Sequence, residues 1–318
     1  KPLRPDADHQ SLTKNPGKLT ITTQHGSIHR AGPAPLAKNL FLLDVPQRDE
    51  PDFVVTTCLE GFRPMSNWQQ AGLIVYNDDD NYLKLVCEFS IPGQSIVNAL
   101  AETQGQSTIT KFWVPLSPER VWLRLVKRGN VYECSSSDDG KTFHVYADVA
   151  WGTAPPKQVG LLAKNGSSSR LGGVDAVFDF FEFRRITREE KNDPSPGARA
   201  KLLGSWKVVA GQLDGKPMAS PESTSFTVTA SEFTLAENTR KLVGSYRFGG
   251  CEVPKTLTLY ARTGTMLTPL NWAYTVQEDE LVLCLTPKAD APAPDRLESR
   301  AGDGRMLITL KRAAEGKD

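Results

Sequence analysis

Apolar and polar residues alternate with a period of two along most of the chain. This alternation predicts β-strands, because successive side chains of a strand point to opposite faces of its sheet. Amphipathic helical patterns are scarce, and clusters of Asn, Asp and Gly follow many of the runs, as turns between antiparallel strands require. We therefore predict an all-β chain of antiparallel sandwiches or barrels. The clearest runs are DFVVTTCLE, YLKLVCEF, VWLRLVKR and VFDFFEF in the first part, and SFTVTA, TLTLYA, ELVLCLT and RMLITLKR in the second.

The segment RRITREEKNDPSPGARA, residues 184–200, interrupts this pattern with charged residues, Pro and Gly. Such a composition is typical of a linker. A chain of 318 residues is long enough for two domains that each bury a core. We predict a sandwich domain over residues 1–187, a linker over 188–200 and a barrel domain over 201–313.

Charge and hydropathy narrow the classes of partner. The 38 basic and 37 acidic residues nearly cancel, so no net field attracts nucleic acid or an anionic membrane, and neither is an expected partner. No apolar run reaches the roughly 18 residues that a membrane-spanning helix needs. The localisation stays open, because the chain as given need not include a leader, and an extracytoplasmic location is favoured.

The five cysteines are predicted to be buried thiols. They are an odd number, none belongs to a CxxC pair, and most stand inside alternating runs. One disulfide, between Cys251 and Cys284, is the alternative. Zinc sites need closely spaced ligands that this sequence lacks, so no cofactor is expected, and calcium is the alternative.

Three consecutive carboxylates, Asp78, Asp79 and Asp80, stand between two alternating runs. Asn and Asp favour turns, so we predict an exposed hairpin turn. Calcium bound by this turn is the alternative metal site, although Leu83 and Phe89 occupy the places where an EF-hand loop needs Gly and Glu. No second carboxylate is spaced to form a catalytic pair with them.

A second turn, SSDDGKTF, resembles the Asp-box hairpin of several unrelated β-rich carbohydrate-active proteins. Asp138 is predicted to accept hydrogen bonds within the turn, Gly140 to adopt a positive φ, and Phe143 to return to the core. We interpret this box as structural, with ligand contact as the alternative.

Alternation also divides the side chains of two strands between opposite faces. On one strand Tyr82, Lys84 and Glu88 lie opposite the apolar face, and on another Trp122 and Arg124 do so. We predict that these five residues form one exposed platform for carbohydrate, because rings can stack on a sugar while charged groups bind its hydroxyls. A loop or a second domain that covers this face is the alternative.

Six segments between about residues 15 and 183 resemble, in order, the concanavalin-A-like C-terminal domain of family 43 β-xylosidases. The resemblance implies a jelly-roll β-sandwich without catalysis, because the hydrolytic carboxylates of those enzymes belong to a separate propeller domain. It also implies that the chain is part of a longer protein. The segments are NPGKLTI, DFVVTTCLEGF, QQAGLIVYNDDDNYLKL, VWLRLVKRGNVYECSSSDDGKTF, VGLLAKNG and AVFDFFEF.

The second half, from KLLGSWKVVAGQLDGKPM to MLITLKR, resembles a small lipocalin-like domain of planctomycete proteins. The resemblance implies a β-barrel that opens with Gly204 and Trp206 and places Arg312 over the Trp ring, with Lys311 as the alternative cation. We interpret Trp206 and Arg312 as structural. Whether such a barrel holds a small ligand stays open.

These features favour a non-catalytic accessory protein. Its sandwich is expected to bind carbohydrate or another protein domain, and its barrel to be a scaffold or to hold a small ligand. One alternative is a glycoside hydrolase acting on plant or microbial polysaccharide, although no catalytic residue is assigned. The other is a sensory or interaction appendage of a larger multidomain protein.

Overall fold

In the computed structural model the regular secondary structure of the described residues is almost entirely β-strand. It describes residues 2–28, 34–46, 52–91, 94–112, 116, 119–152, 156–167, 172–193, 195–218, 223–229, 232–237, 240–249, 254–263, 266–288 and 291–313. The strands are β1 Gln10–Ser11, β2 Leu19–Thr22, β3 Phe41–Asp44, β4 Phe53–Glu60, β5 Gln70–Asp78, β6 Asn81–Ile91, β7 Gln94–Thr103, β8 Gln106–Phe112, β9 Arg120–Arg128, β10 Val131–Ser137, β11 His144–Ala150, β12 Gln158–Lys164, β13 Asp175–Arg185, β14 Gly204–Leu213, β15 Lys216–Pro217, β16 Thr224–Val228, β17 Phe233–Glu237, β18 Arg240–Phe248, β19 Lys255–Thr263, β20 Met266–Gln277, β21 Glu280–Leu285 and β22 Met306–Arg312.

Helices are short and few among the described residues. They are one 3-10 turn, Ala7–His9, and the α-helices α1 Arg188–Lys191 and α2 Ser195–Leu202. Among the described residues, no helix has the length and apolar character needed to cross a membrane.

The chain divides into two compact units. The first contains residues 1–143 and 147–192, and the second contains residues 144–146 and 193–318. The segment predicted as a linker contains α1 and most of α2. A capping box begins α1, in which the Thr187 hydroxyl accepts from the Glu190 N–H and the Glu190 carboxylate accepts from the Thr187 N–H. Such a box stabilises a helix start by satisfying two backbone donors, so part of this segment is ordered helix.

The first unit is a sandwich of two antiparallel sheets. One has the strand order β3-β12-β5-β6-β7-β8, and the other has the order β1-β2-β13-β4-β9-β10-β11. Apolar side chains of the two sheets interdigitate, and Leu123 of β9 packs directly over Gly72 of β5. The side chains predicted to face this core, Leu85, Leu123 and Leu125, are fully buried. The predicted sandwich is confirmed.

The outer face of the six-stranded sheet is also buried. The N-terminal segment before β4 covers it, and three of its side chains, Ile28, Ala37 and Leu40, are almost inaccessible to solvent. Arg4 fastens this segment, because its Nε donates to the Ala37 carbonyl at 2.6 Å. The segment packs against Ile74, Tyr76, Tyr82, Val86, Leu100 and Leu162.

The turn between β5 and β6 is held by the first of the three aspartates. The Asp78 carboxylate accepts from the Asp80 N–H at 3.0 Å and from Asn81 Nδ2 at 2.9 Å. These local bonds are the ones that Asx turns use. Among the described residues, no group of three or more His, Cys, Asp or Glu side chains is arranged to hold a metal ion.

Asp79 has a different environment from the exposed one predicted for this turn. It is only 4% exposed, and its two oxygens accept from the two terminal nitrogens of Arg4 at 3.1 Å each. Tyr76 donates to the same carboxylate at 2.8 Å. The prediction of an exposed Asp79 is therefore wrong, because the residue that pairs with it stands 75 positions earlier in the sequence.

The second unit contains a closed eight-stranded barrel. Strands β14, β16, β17, β18, β19, β20, β21 and β22 pair antiparallel in that order, and β22 pairs with β14 to close the ring. This is up-and-down topology, and the predicted β-barrel is confirmed. Large apolar side chains fill the interior, among them Trp206, Phe226, Phe233 and Trp272.

One end of the barrel is closed by Trp206 and Arg312. Trp206 is fully buried, and the Arg312 guanidinium lies 4.2 Å from the centre of its ring. Arg312 also donates to the Leu203 carbonyl at 2.9 Å and to the Lys201 carbonyl at 2.7 Å. Lys311 instead pairs with a glutamate on β21, so Arg312 is the cation that covers the ring.

Four cysteines, Cys58, Cys87, Cys134 and Cys284, are buried free thiols. Burial raises the pKa of all four, which keeps them protonated and unreactive. Cys251, the second member of the alternative disulfide, lies outside the described residues.

Replacing Trp206 is expected to unfold the barrel alone. Trp206→Ala removes a fully buried aromatic side chain, which costs roughly 3–5 kcal/mol, a large part of a domain's stability. Differential scanning calorimetry should show one transition lost and the transition of the first unit retained. Val243→Ala, at a residue of β18 that is 40% exposed, is the control and should leave both transitions in place.

Removing the charge of Asp79 is expected to loosen the N-terminal segment. Asp79→Asn leaves the partly buried Arg4 guanidinium without its carboxylate, so the free energy of unfolding should fall by about 2 kcal/mol in urea denaturation. Asp80→Asn is the control and should change it by less than about 0.5 kcal/mol. A melting temperature that rises with calcium in the parent and not in Asp79→Asn would instead indicate a metal site.

Candidate functional site

The five residues of the predicted platform do not share one surface. Tyr82, Lys84 and Glu88 lie on β6 in the six-stranded sheet, whereas Trp122 and Arg124 lie on β9 in the other sheet. The three residues of β6 are at most 3% exposed. The prediction of a single exposed platform is therefore wrong. Alternation separates the two faces of a strand, but it does not show which sheet the strand joins or what covers the face.

Trp122 and Arg124 are half-buried and already packed against their neighbours. The Arg120 guanidinium lies 4.9 Å from the centre of the Trp122 ring, and Arg124 lies 3.4 Å from the centre of the Phe143 ring. Gly140 has a φ of 73°, positive as predicted. It lies against the Trp122 ring, because a Cβ at this position would come within 2.8 Å of a ring atom. The hairpin turn therefore covers part of the surface predicted to bind sugar.

Asp139, and not Asp138, organises this turn. Its Oδ1 accepts from the N–H groups of Thr142 and Lys141 and from the Ser137 hydroxyl, each at 2.8 Å. These hydrogen bonds, chiefly those from the backbone, hold the pKa of Asp139 well below its usual value. Both aspartates are exposed, but these hydrogen bonds go to Asp139, so the prediction that Asp138 accepts them is wrong, while Gly140 has the positive φ predicted for it.

Buried polar side chains lie on the outer face of the six-stranded sheet. Lys164 of β12 pairs in register with Gln70 of β5, which pairs with Glu88 of β6. Strand β7 adds Asn98, opposite Val86, and β6 adds Lys84. All five polar residues are at most 3% exposed. We call Lys84, Glu88, Gln70, Asn98 and Lys164 the polar cluster.

Hydrogen bonds satisfy only part of the polar cluster. Lys84 Nζ donates to Gln70 Oε1 at 2.7 Å, and Asn98 Nδ2 donates to Glu88 Oε2. Gln70 Nε2 and Asn98 Oδ1 are buried and have no partner among the described residues. An unsatisfied buried polar atom costs about 1–3 kcal/mol, so a donor and an acceptor are available here for water or a ligand.

Burial controls the charge of the polar cluster. It lowers the pKa of Lys84 to about 8, although Glu88 and Glu102 act in the opposite direction. Burial, followed by the charge of Lys84, also lowers the pKa of Lys164 well below its usual value. The cluster has two lysines and one glutamate, so its net charge depends on pH in the neutral to mildly alkaline range.

An exposed aromatic ring lies at the rim of the polar cluster. Trp68 precedes β5, is 42% exposed, and donates its backbone N–H to Glu88 Oε1 at 3.4 Å. Its φ is 72°, a conformation that costs a bulky residue free energy and often marks a functional site. Gly166 permits this arrangement, because a Cβ there would lie 2.6 Å from Trp68 Cβ and 3.5 Å from Lys164 Nζ.

Sequence reasoning identified Lys84 and Glu88 but missed the other members of this site. Gln70 and Lys164 stand at strand ends, so their meeting depends on the register between β12 and β5. Trp68 offered one signal, since it is an aromatic residue in the loop-forming run PMSNWQQ directly before a strand. Solvent-exposed aromatic residues in such loops are frequent in binding sites.

The two-sheet geometry agrees with a match to a known family. The family model described as the β-xylosidase C-terminal concanavalin A-like domain matches residues 3–184. The chain belongs to this family. The matched range corresponds to the first unit, which we call the concanavalin A-like domain from here on. The lipocalin-like resemblance of the second unit stays a prediction.

Solved structures with a similar fold include GH43 proteins. The GH43 protein BlXynB from Bacillus licheniformis is 22% identical, with a TM-score of 0.49, over 57% of this chain and 36% of its own. A xylan β-1,4-xylosidase from Bacillus halodurans is 17% identical, with a TM-score of 0.46, over 57% of this chain and 35% of its own. A functionally unknown protein from Saccharomyces cerevisiae is 20% identical, with a TM-score of 0.47, over 59% of this chain and 96% of its own. The chain thus spans about a third of the length of these two GH43 proteins. A comparison with curated proteins gave no match.

The buried amine of Lys84 is expected to make stability depend on pH. Its pKa is about 8 in the folded chain and 10.5 ordinarily, so between these values the unfolded state binds more protons and stability rises with pH. The difference in unfolding free energy between the parent and Lys84→Met should change by roughly 3 kcal/mol across this range, at about 1.4 kcal/mol per pKa unit. Urea denaturation at several pH values measures it. Lys141→Met, at an exposed turn residue, should show no such change.

Proposed function

We propose that the concanavalin A-like domain is a carbohydrate-binding accessory module, and that Trp68 and the polar cluster form its binding site. The observation that carries this proposal is the exposed Trp68 ring, held at a positive φ beside buried polar atoms that have no hydrogen-bond partner among the described residues. Binding sites combine apolar or aromatic surface with a few placed polar groups, and this is the combination found here.

The chemistry of the site matches a sugar ring. The Trp68 ring offers a flat apolar surface for the C–H face of a pyranose, and aromatic rings contribute much of the contact energy at such sites. Gln70 Nε2 can donate to a hydroxyl oxygen, while Asn98 Oδ1 and the Glu88 carboxylate can accept from hydroxyl groups. A hydroxyl group both donates and accepts, so a hydroxyl group that reaches either orphaned atom can satisfy it.

Rigidity also favours binding at this site. The polar cluster is carried by four neighbouring strands of one sheet, which fix side chains more closely than loops do. The Trp68 backbone is held by its bond to Glu88 and by its close packing on Gly166. A preformed site loses less conformational entropy when a ligand binds.

Hydrolysis of polysaccharide is the second candidate, and the site supports it less well. Most glycoside hydrolases use two carboxyl groups about 5–10 Å apart. The polar cluster contributes one, Glu88, among amides and amines. The accessory role therefore fits better, and the family description, which names β-xylosidases, makes xylan fragments the first ligands to test. The barrel is proposed as a scaffold, because apolar side chains pack its interior.

Two tryptophan variants test this function. Trp68→Ala should weaken binding of xylohexaose at least about tenfold, which corresponds to about 1.4 kcal/mol, in isothermal titration calorimetry. Trp122→Ala is the matched control, since this ring lies on the other sheet, and it should change the affinity by less than about twofold. Far-UV circular dichroism confirms that both variants remain folded.

Three other results would contradict the proposal. Loss of affinity only in Trp122→Ala would favour the platform predicted from the sequence. A parent protein that binds neither xylan nor glucan fragments would favour docking of another protein domain. Release of reducing sugar from xylan by the parent would favour a hydrolase.

A further inference from the structure

A cavity of about 400 Å³ lies at the end of the sandwich where the β5–β6 and β7–β8 turns meet. The β9–β10 turn and the residues directly after β11 complete its wall. This volume falls in the range of small-molecule sites. Asn77 at its wall and Gln70 in the polar cluster stand seven positions apart on β5. That separation is about 23 Å along an extended strand, so the cavity and the Trp68 site are distinct.

Trp151 forms a fixed part of the cavity wall. Its indole N–H donates to the Glu102 carbonyl at 2.8 Å, and its backbone N–H donates to the Asn130 carbonyl at 2.9 Å. The ring also makes an edge contact with Tyr132, with 6.0 Å between ring centres. These contacts join three chain segments, so the wall is in place before any ligand arrives.

Asn81 holds two of the turns together. Its Nδ2 donates to Asp78 Oδ1 at 2.9 Å, and its Oδ1 accepts from the Gln104 N–H at 3.0 Å. In the second turn, Gln104 has a positive φ of 51°, and the Gly105 N–H donates to the Asp80 carbonyl at 3.0 Å. Asn81 therefore positions the cavity and is not itself available to a ligand.

Other polar groups at the cavity remain available. Asn77 uses its Oδ1 to accept from the Lys157 N–H at 2.8 Å, which leaves its Nδ2 as a donor. Gln104 and Asn130 are exposed, and within the part of the chain that the structure describes their side-chain amides make no hydrogen bond. Thr103 adds an exposed hydroxyl. The lining thus offers donors and acceptors side by side.

We propose that this cavity is a second saccharide-binding site and that it takes a terminal unit of a neutral oligosaccharide. The described lining residues include no charged side chain, so a charged ligand would lose hydration without gaining a counter-ion there. Carboxamides pair with hydroxyl groups in both directions, and Trp151 supplies the aromatic wall. This site does not depend on the Trp68 site.

The test follows the side-chain resonances of the full chain by ¹H–¹⁵N NMR during titration with xylotetraose or cellotetraose. The amide signals of Gln104 and Asn130 and the indole signal of Trp151 should shift and saturate. A double variant, Gln104→Ala with Asn130→Ala, should lower the affinity measured at the Trp151 signal at least about tenfold. Gln106→Ala is the matched control, because Gln106 is an exposed glutamine of the same hairpin outside the cavity, and it should leave the affinity unchanged.

The variants also separate the two sites. Trp151 shifts that persist in Trp68→Ala and are lost in the double variant support the second site. Shifts that disappear in Trp68→Ala, or a parent that shows none with either neutral sugar, overturn it. Tighter binding of tetragalacturonate than of xylotetraose at the Trp151 signal also overturns it. The calorimetric test of the Trp68 site is independent of this one. If Trp68→Ala retains the full affinity for xylohexaose, the Trp68 site is contradicted and the second site is not affected.

Discussion

The ion pair between Arg4 and Asp79 determines what the outer face of the six-stranded sheet becomes. By joining the start of the chain to the β5–β6 turn, it holds the N-terminal segment against a face that alternation alone would leave in water. Tyr82 is consequently buried, and its hydroxyl donates to Glu102 at 2.9 Å. Lys84 lies on the same face of β6 and is also buried, and its lowered pKa follows from the lost hydration. A contact between distant residues therefore decides which segment covers this face of the sheet.

The sequence predicted those features that depend on neighbouring residues. Alternation placed Leu123 and Leu125 in the core correctly, because a strand has only two faces and one of them packs on the other sheet. Alternation also predicted an all-β chain of antiparallel sandwiches or barrels, and the resemblance of the second half to a lipocalin-like domain implied the barrel. The partners of Asp79 and the meeting of Lys164 with Gln70 did not follow, since both depend on contacts between segments far apart in the sequence. Periodicity within one segment does not contain that information.

Two local features that were not predicted have a different origin. The turn after β10 contains adjacent aspartates, and composition does not show which of them points at the backbone amides. Both are exposed, and in the structure it is the Asp139 carboxylate that receives three hydrogen bonds. The sequence does contain a signal for the start of α1, because Thr187 and Glu190 have the spacing of a capping box. The charged composition of the segment favours a linker, but the capping box orders its first turn as helix.

The closure of the barrel has a consequence for how such a unit can be built into proteins. Arg312 binds carbonyls directly before β14, and the Ala313 N–H donates to the Ser205 carbonyl at 2.8 Å. The entry and the exit of the barrel are therefore neighbours in space. A unit with adjoining ends can be inserted into a surface loop of a host domain, or circularly permuted by joining those ends, without stretching either chain. The interaction that seals the hydrophobic interior thus also makes the barrel a portable module.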